Sequence, residues 1–193
     1  MPKILMATLF AGLFLAFFAA GEASGASLKV LLKTSKGDVT LELYADKAPV
    51  TVKNFLDYVD AKFYDGLIFH RVIKGFMIQG GGLTPDYSTR PAKPPIKNEA
   101  GNGLTNDRGT IAMARTGEVD SATCQFFINH VNNDFLNHTS NTPEGFGYCV
   151  FGKVTAGLDV VDAIATTPTM TVHGMKDVPR EAVTIISVRR VEN

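Results

Sequence analysis

The sequence predicts a mainly β fold, a closed antiparallel barrel of seven or eight strands with two short helices. Three observations predict it. Short runs rich in Val, Ile, Leu, Thr and Phe recur after residue 28, each bounded by Gly, Pro, Asn or Asp. Helical periodicity occurs in only two stretches, and no internal repeat or low-complexity tract is present. Apolar residues make up 45% of 193, enough for one real core. A set of short strands of this kind removes its exposed edges by closing on itself.

The elements follow in order. Leu28 to Leu32 and Val39 to Leu43 are apolar, β-rich runs, and Gly37-Asp38 between them predicts a hairpin turn. From Ala48 to Tyr58 the period changes. Val52, Phe55, Leu56 and Val59 fall at i, i+3, i+4 and i+7, one face of an amphipathic helix, and Pro49 suits its first turn. Phe63 to His70 reads as a strand leading into a second hairpin, which turns at Lys74-Gly75. Leu83 to Ala100 carries Pro85, Pro91, Pro94 and Pro95 and reads as a surface loop that continues to Arg108. Thr110 to Arg115 and Gln125 to Asn129 are short strands. Val131 to Gly147 is a long loop with Phe135-Leu136 as its one apolar island. Tyr148 to Val154 is a strand, Leu158 to Ala165 a second short helix, and Val183 to Val191 the closing strand.

The N-terminus differs in kind. Lys3 precedes a charge-free run from Ile4 to Ala20, followed by the small residues Gly21, Ala23, Ser24, Gly25 and Ala26. That order predicts a secretory signal peptide over residues 1–26, cleaved after Ala26 or else Ala23, and a single domain over residues 27–193. An uncleaved anchor is the competing reading, but seventeen residues sit at the lower edge of a spanning helix. The expected product is a periplasmic protein with no membrane contact after cleavage. Lys+Arg and Asp+Glu number 19 each, so no basic footprint points to nucleic acid. Two cysteines, Cys124 and Cys149, lie in apolar strands. In an oxidising compartment either a disulfide or two buried thiols fits them.

The most informative stretch runs from Phe69 to Gly82, Phe-His-Arg-Val-Ile-Lys-Gly-Phe-Met-Ile-Gln-Gly-Gly-Gly. Within apolar, strand-forming residues it sets one permanent cation, Arg71, and one neutral amide, Gln79. The three glycines free the backbone to turn or to approach another chain closely. This equipment suits gripping a peptide and pulling on one carbonyl or nitrogen better than it suits hydrolysis. Ser121 to Asn129 repeats the theme. On a strand, Gln125, Phe127 and Asn129 share one face and Phe126 and Ile128 the other, so one Phe can line a site while its neighbour fills the core.

At these residues the chain resembles the cyclophilin-type peptidyl-prolyl cis-trans isomerases. Phe69-His-Arg-Val-Ile, Gly75-Phe-Met-Ile-Gln-Gly-Gly, Ala112-Met-Ala-Arg115, Ser121 to Asn129 and Val150-Phe-Gly-Lys-Val154 stand in the family's order and spacing. Pro95-Ile-Lys-Asn-Glu99 and Gly109 to Arg115 look like the exported bacterial branch. The resemblance implies an eight-stranded barrel with a helix capping each end and a site on its outer wall. It implies catalytic roles for Arg71, Phe76 and Gln79. It further implies that Met77, Ala114, Arg115, Gln125, Phe127, Phe135, Leu136 and Tyr148 bind substrate. Proline-containing peptides and unfolded chains are the expected partners, the protein is expected to be a monomer, and no cofactor is implied.

Four positions depart from the pattern. Lys74 stands where many relatives have Pro, which leaves that turn looser. Arg115 replaces a common Asn, though its backbone can still bond a peptide. Phe135 stands in place of a Trp and loses the indole donor, and Tyr148 replaces a rim His. The last two lower the expected affinity for the family's cyclic-peptide inhibitor more than they affect turnover.

Other chemistries fare worse. His70, His130, His138 and His173 lack metal-ligand spacing, so no metal site is expected, and His70 reads as a packed, hydrogen-bonded residue. No G-x-S-x-G elbow, phosphate loop or complete dinucleotide fingerprint is present. Two function classes remain. One is an isomerase acting on exported proteins during folding. The other is a chaperone or assembly module that uses the same groove with little turnover.

Overall fold

The computed structural model describes residues 28–191; the expected leader, residues 1–26, lies outside them. Strands β1 (Leu28–Thr34) and β2 (Gly37–Leu43) pair antiparallel from Leu28↔Leu43 to Thr34↔Gly37. The turn is Ser35-Lys36, two residues earlier than Gly37-Asp38 suggests. Thr34 Oγ1 donates to the Gly37 carbonyl at 2.7 Å and accepts from Lys36 N–H at 3.1 Å, which closes it there. Alternation then buries Val30, Leu32, Val39, Leu41 and Leu43 on one face.

Helix α1 (Pro49–Asp60) buries Val52, Phe55, Leu56 and Val59, the face its spacing predicts. Ala48 offers no capping side chain. The free N–H groups of Val50 and Thr51 instead donate to the Glu99 carboxylate at 3.1 and 2.8 Å, so the Pro-rich loop supplies the cap from far along the chain. Residues 61–66 are turns rather than strand. The hairpin of β3 (Ile68–Ile73) and β4 (Met77–Leu83) follows. Next come β5 (Thr110–Met113), β6 (Phe126–Asn129), β7 (Val150–Ala156) and α2 (Leu158–Ala165). Then β8 (Thr169–Val172), β9 (Met175–Pro179) and β10 (Ile185–Arg190) complete the described chain.

Eight strands form one antiparallel sheet in the order β10-β1-β2-β7-β5-β6-β4-β3. The expected closure is not found: the sheet is an open half-barrel. Among the described residues its two edge strands share one isolated bridge, Ile68–Thr184, flanked by bonds from Phe69 N–H to the Val183 carbonyl, from Ile185 N–H to the Leu67 carbonyl and from Gly66 N–H to the Ile185 carbonyl. Register shifts on both sides of Phe69 deflect β3, and Thr184 lies just outside β10, so no continuous ladder spans the seam. The concave face packs on the aromatic group Phe55, Tyr64, Phe126 and Phe151 and on the inward faces of both helices.

The β8–β9 hairpin forms a separate two-stranded sheet that sequence reading left unassigned. Its turn, His173-Gly174, holds φ of 49° and 81°, the left-handed pair of a type I′ hairpin. A two-residue turn between the β-compatible runs Thr169–Val172 and Met175–Pro179 was the signal available for it.

Candidate active site

The ladder registers explain how the site residues come together. Arg71 pairs with Gln79, Gln79 with Phe127, and Phe127 with Ala112, one row across β3, β4, β6 and β5. Directly paired residues share a face. One residue along, Val72, Ile78, Ile128 and Ile111 form a second row that faces the main core. The pleat therefore separates two apolar groups. Phe126 and Ile128 belong to the core, while Phe127 joins Met77, Ala112, Leu136 and Val150 in a smaller cluster on the convex face.

A cavity of about 120 Å³ opens on that second cluster. Nine of the residues singled out from the sequence line it: Arg71, Phe76, Met77, Gln79, Ala114, Arg115, Phe127, Leu136 and Tyr148. The other two sit beside it. Gln125 accepts a hydrogen bond at Oε1 from Gln79 Nε2 at 2.9 Å. Phe135 is 74% exposed and stacks on Phe76 with centroids 5.6 Å apart, walling an adjoining groove with Arg115 and Tyr148.

The floor is apolar: Met77, Phe127 and Leu136 are buried, and the Tyr148 ring meets Phe127 edge-on at 5.7 Å. At its edge stands Arg71. Among the described residues its guanidinium has no ion pair and no hydrogen bond, and it rests only over the Phe76 ring at 5.8 Å. Five N–H groups are thus free for whatever enters. Arg115 is the opposite case. Its Nε donates to the Gly147 carbonyl at 3.0 Å, Nη1 to that of Thr116 at 2.9 Å and Nη2 to that of Pro143 at 3.2 Å, and the guanidinium lies 4.9 Å over Tyr148. Its side chain braces two loops. Its backbone N–H and carbonyl make no bond among the described residues and remain open to a peptide.

His70 lies on β3 next to Arg71 and is buried, and among the described residues its Nδ1 has no partner. It is packed as expected but not fully hydrogen-bonded. Burial holds its imidazole down at about 4, and the neighbouring Arg71 cation pushes the same way. It is therefore neutral near pH 7. Cys124 and Cys149 are separate buried thiols rather than a disulfide, and burial pushes Cys149 up to about 11. Among the described residues no cluster of three or more His, Cys, Asp or Glu could hold a metal ion, and no helix is long and apolar enough to cross a membrane.

Sequence reading missed a buried amide network behind the pocket. Asn133 Nδ2 donates to Asn129 Oδ1 at 2.7 Å and to the Phe76 carbonyl at 3.0 Å. Asn129 Nδ2 donates to Asn106 Oδ1 at 3.2 Å, and Asn106 Nδ2 reaches the Leu136 carbonyl at 3.2 Å. All three asparagines are essentially inaccessible. The network ends on the backbones of residues that line the cavity. Asn106 and Asn133 fall in segments that read as loop. Asn129, at the end of an apolar strand, was the one visible sign of a buried polar partner.

Comparison with known proteins identifies the family. The profile of the family described as cyclophilin type peptidyl-prolyl cis-trans isomerase/CLD matches residues 29–190. A peptidyl-prolyl cis-trans isomerase of Streptomyces antibioticus is 58% identical over 160 residues, covering 83% of this chain and 96% of that one. Peptidyl-prolyl cis-trans isomerase A of Dickeya dadantii is 49% identical over 192 residues and all of both chains. Isomerase B of Escherichia coli is 55% identical over 159 residues, 82% of this chain and 97% of its own. A crystal structure of a cyclophilin-type isomerase from Cryptosporidium parvum superposes with a TM-score of 0.74 at 27% identity, over 86% of this chain and 99% of that one. A second crystal structure of that protein, determined in the presence of the dipeptide Ala-Pro, gives 0.73.

Proposed function

The chain belongs to the cyclophilin-type peptidyl-prolyl cis-trans isomerases and is an enzyme of that class, and from that premise we propose that Arg71 and the apolar seat beside it carry the isomerisation. Amide resonance sets a barrier of about 18–20 kcal/mol to rotation of an X-Pro bond. No bond breaks. The enzyme gains rate by binding the twisted amide better than the planar one. In the twisted state the proline nitrogen becomes pyramidal and acquires a lone pair. Arg71, the cation at the cavity edge that has no ion pair among the described residues, donates to that lone pair. This single observation carries the reading.

Phe76, Met77, Phe127 and Leu136 seat the ring. Gln79, held by Gln125, meets the substrate backbone. Ala114 and the open backbone of Arg115 line the path of the peptide, and Phe135 and Tyr148 border its exit. The dipeptide used with the Cryptosporidium parvum relative has the chemistry this seat would accept. A protease-coupled peptide assay tests the reading. Acceleration of cis-to-trans rotation that depends on Arg71 supports it; no acceleration at micromolar protein leaves only a proline-binding chaperone.

The site of action we place outside the cytoplasm. The charge-free run Ile4 to Ala20 and the small residues up to Ala26 support a cleaved leader and a periplasmic enzyme acting on exported chains as they fold. Mass spectrometry of the mature N-terminus decides it. A first residue of Ser27 or Ser24 is expected. An intact Met1 or Pro2 terminus in the membrane fraction points to an anchor.

A further inference from the structure

Phe76 is the last residue of the turn Ile73-Lys74-Gly75-Phe76. Phe76 N–H donates to the Ile73 carbonyl at 3.1 Å, and Gly75 has φ of 75° while Lys74 is not in the left-handed region. That is a type II turn, in which the second residue is commonly proline because proline pre-sets the required φ. Lys74 presets nothing. The turn is instead held from outside, by one residue of β6's exit. His130 Nδ1 accepts from Gly75 N–H at 3.0 Å, and His130 N–H donates to the Phe76 carbonyl at 2.9 Å. Both ends of the segment that carries Phe76 are thus tied to His130.

The ring is itself held. Since Nδ1 accepts, the proton sits on Nε2, which lies 3.3 Å from Asp162 Oδ1 on α2. Arg108 grips the same carboxylate with both Nη atoms, at 2.9 and 2.8 Å, and donates from Nη1 to the His130 carbonyl at 2.7 Å. The chain of contacts runs α2–Asp162–His130–Gly75–Phe76 and ends under the Arg71 guanidinium. None of these partners of His130 lines the cavity apart from Phe76. We infer that His130, oriented by Asp162 and Arg108, is a positioning residue for the isomerase site, supplying to the Lys74-Gly75 turn the rigidity a proline would build in. The inference rests on the reading of Phe76 as part of the proline seat.

The test compares kcat/KM for peptide isomerisation with melting temperature in five proteins: wild type, His130→Ala, Phe76→Ala, the double variant, and His130→Ala with Lys74→Pro. His130→Ala should lower kcat/KM roughly three- to tenfold, the scale of one or two lost hydrogen bonds. Adding it to Phe76→Ala should lower kcat/KM little further, because its effect passes through Phe76. Lys74→Pro should restore most of the activity by stiffening the turn directly. A lower melting temperature with unchanged kcat/KM overturns the inference, as do losses that multiply in the double variant. So does a failure of Lys74→Pro to rescue. Full turnover in Phe76→Ala overturns the reading of the seat instead. Should His130→Ala not fold, Asp162→Asn on the exposed face of α2 loosens the ring without emptying its place. A smaller loss of kcat/KM there supports the inference and wild-type activity overturns it.

Discussion

Gln79 and Gln125 meet side chain to side chain, Nε2 to Oε1 at 2.9 Å, at the mouth of the cavity. Gln125 reaches that position only because residue 82 is glycine. A Cβ built there would stand 2.6 Å from Gln125 Cγ and Nε2, with no strain in the backbone to add to it. Gly82→Ala should therefore push Gln125 aside and release Gln79. The expected result is a loss of roughly tenfold in kcat/KM, the scale of one lost hydrogen bond in the site, with a melting temperature close to wild type. Wild-type kinetics would mean that the pair does not orient the substrate.

His70 makes stability depend on pH. Its imidazole is held at about 4 by burial, with Arg71 adding to the effect, against about 6.5 in an unfolded chain. Between those values the unfolded chain binds the proton and the folded one does not. The stabilisation is complete above pH 6.5 and is lost as pH falls from there through 4. The full loss is on the order of 3 kcal/mol. Denaturant unfolding at pH 7 and pH 4.5 should show a smaller drop for His70→Gln than for wild type. Equal drops would remove His70 from the account.

Phe135→Trp should raise affinity for the family's cyclic-peptide inhibitor while leaving turnover and stability nearly unchanged. Phe135 is mostly exposed and stacked on Phe76 at the rim, so an indole there adds a donor without disturbing packing. Titration of both variants with the inhibitor checks it. Equal affinities would place Phe135 outside the inhibitor's reach.

What could be read from the chain was local. Alternation separated Phe127 from Phe126 and Ile128 correctly, because a strand's period is two whatever it packs against. The helical face of α1 followed from spacing in the same way. What escaped depends on residues far apart. Glu99 caps α1 from 48 and 49 positions away, and Asn106 meets Asn129 across 23. Asparagine in a loop reads as turn chemistry, and nothing local distinguishes one that will be buried. Closure of the barrel was likewise a statement about two distant edges, and the deflection of β3 beside Phe69 that prevents a ladder leaves no mark in composition.

The strongest test separates Arg71 from Phe127. The two stand in one row across β3, β4 and β6, on either side of Gln79. Arg71 is half-buried, unpaired among the described residues and outside the main core, so Arg71→Ala should melt near the wild-type temperature. In the proposed mechanism its donor acts on a lone pair that exists only when the amide is twisted. Removing one aimed donor of this kind costs about 2.7–4 kcal/mol, roughly a hundred- to a thousandfold in rate. Peptide affinity should fall far less, since the planar ground state offers that nitrogen no comparable bond. Phe127 is 4% exposed at the centre of the outer cluster. Phe127→Ala should cost about 3 kcal/mol of stability and weaken peptide binding together with turnover. Measuring kcat/KM, peptide affinity and melting temperature for both variants distinguishes a donor from a seat. Near-full turnover in a normally melting Arg71→Ala protein would disprove the donor mechanism while leaving the family membership untouched.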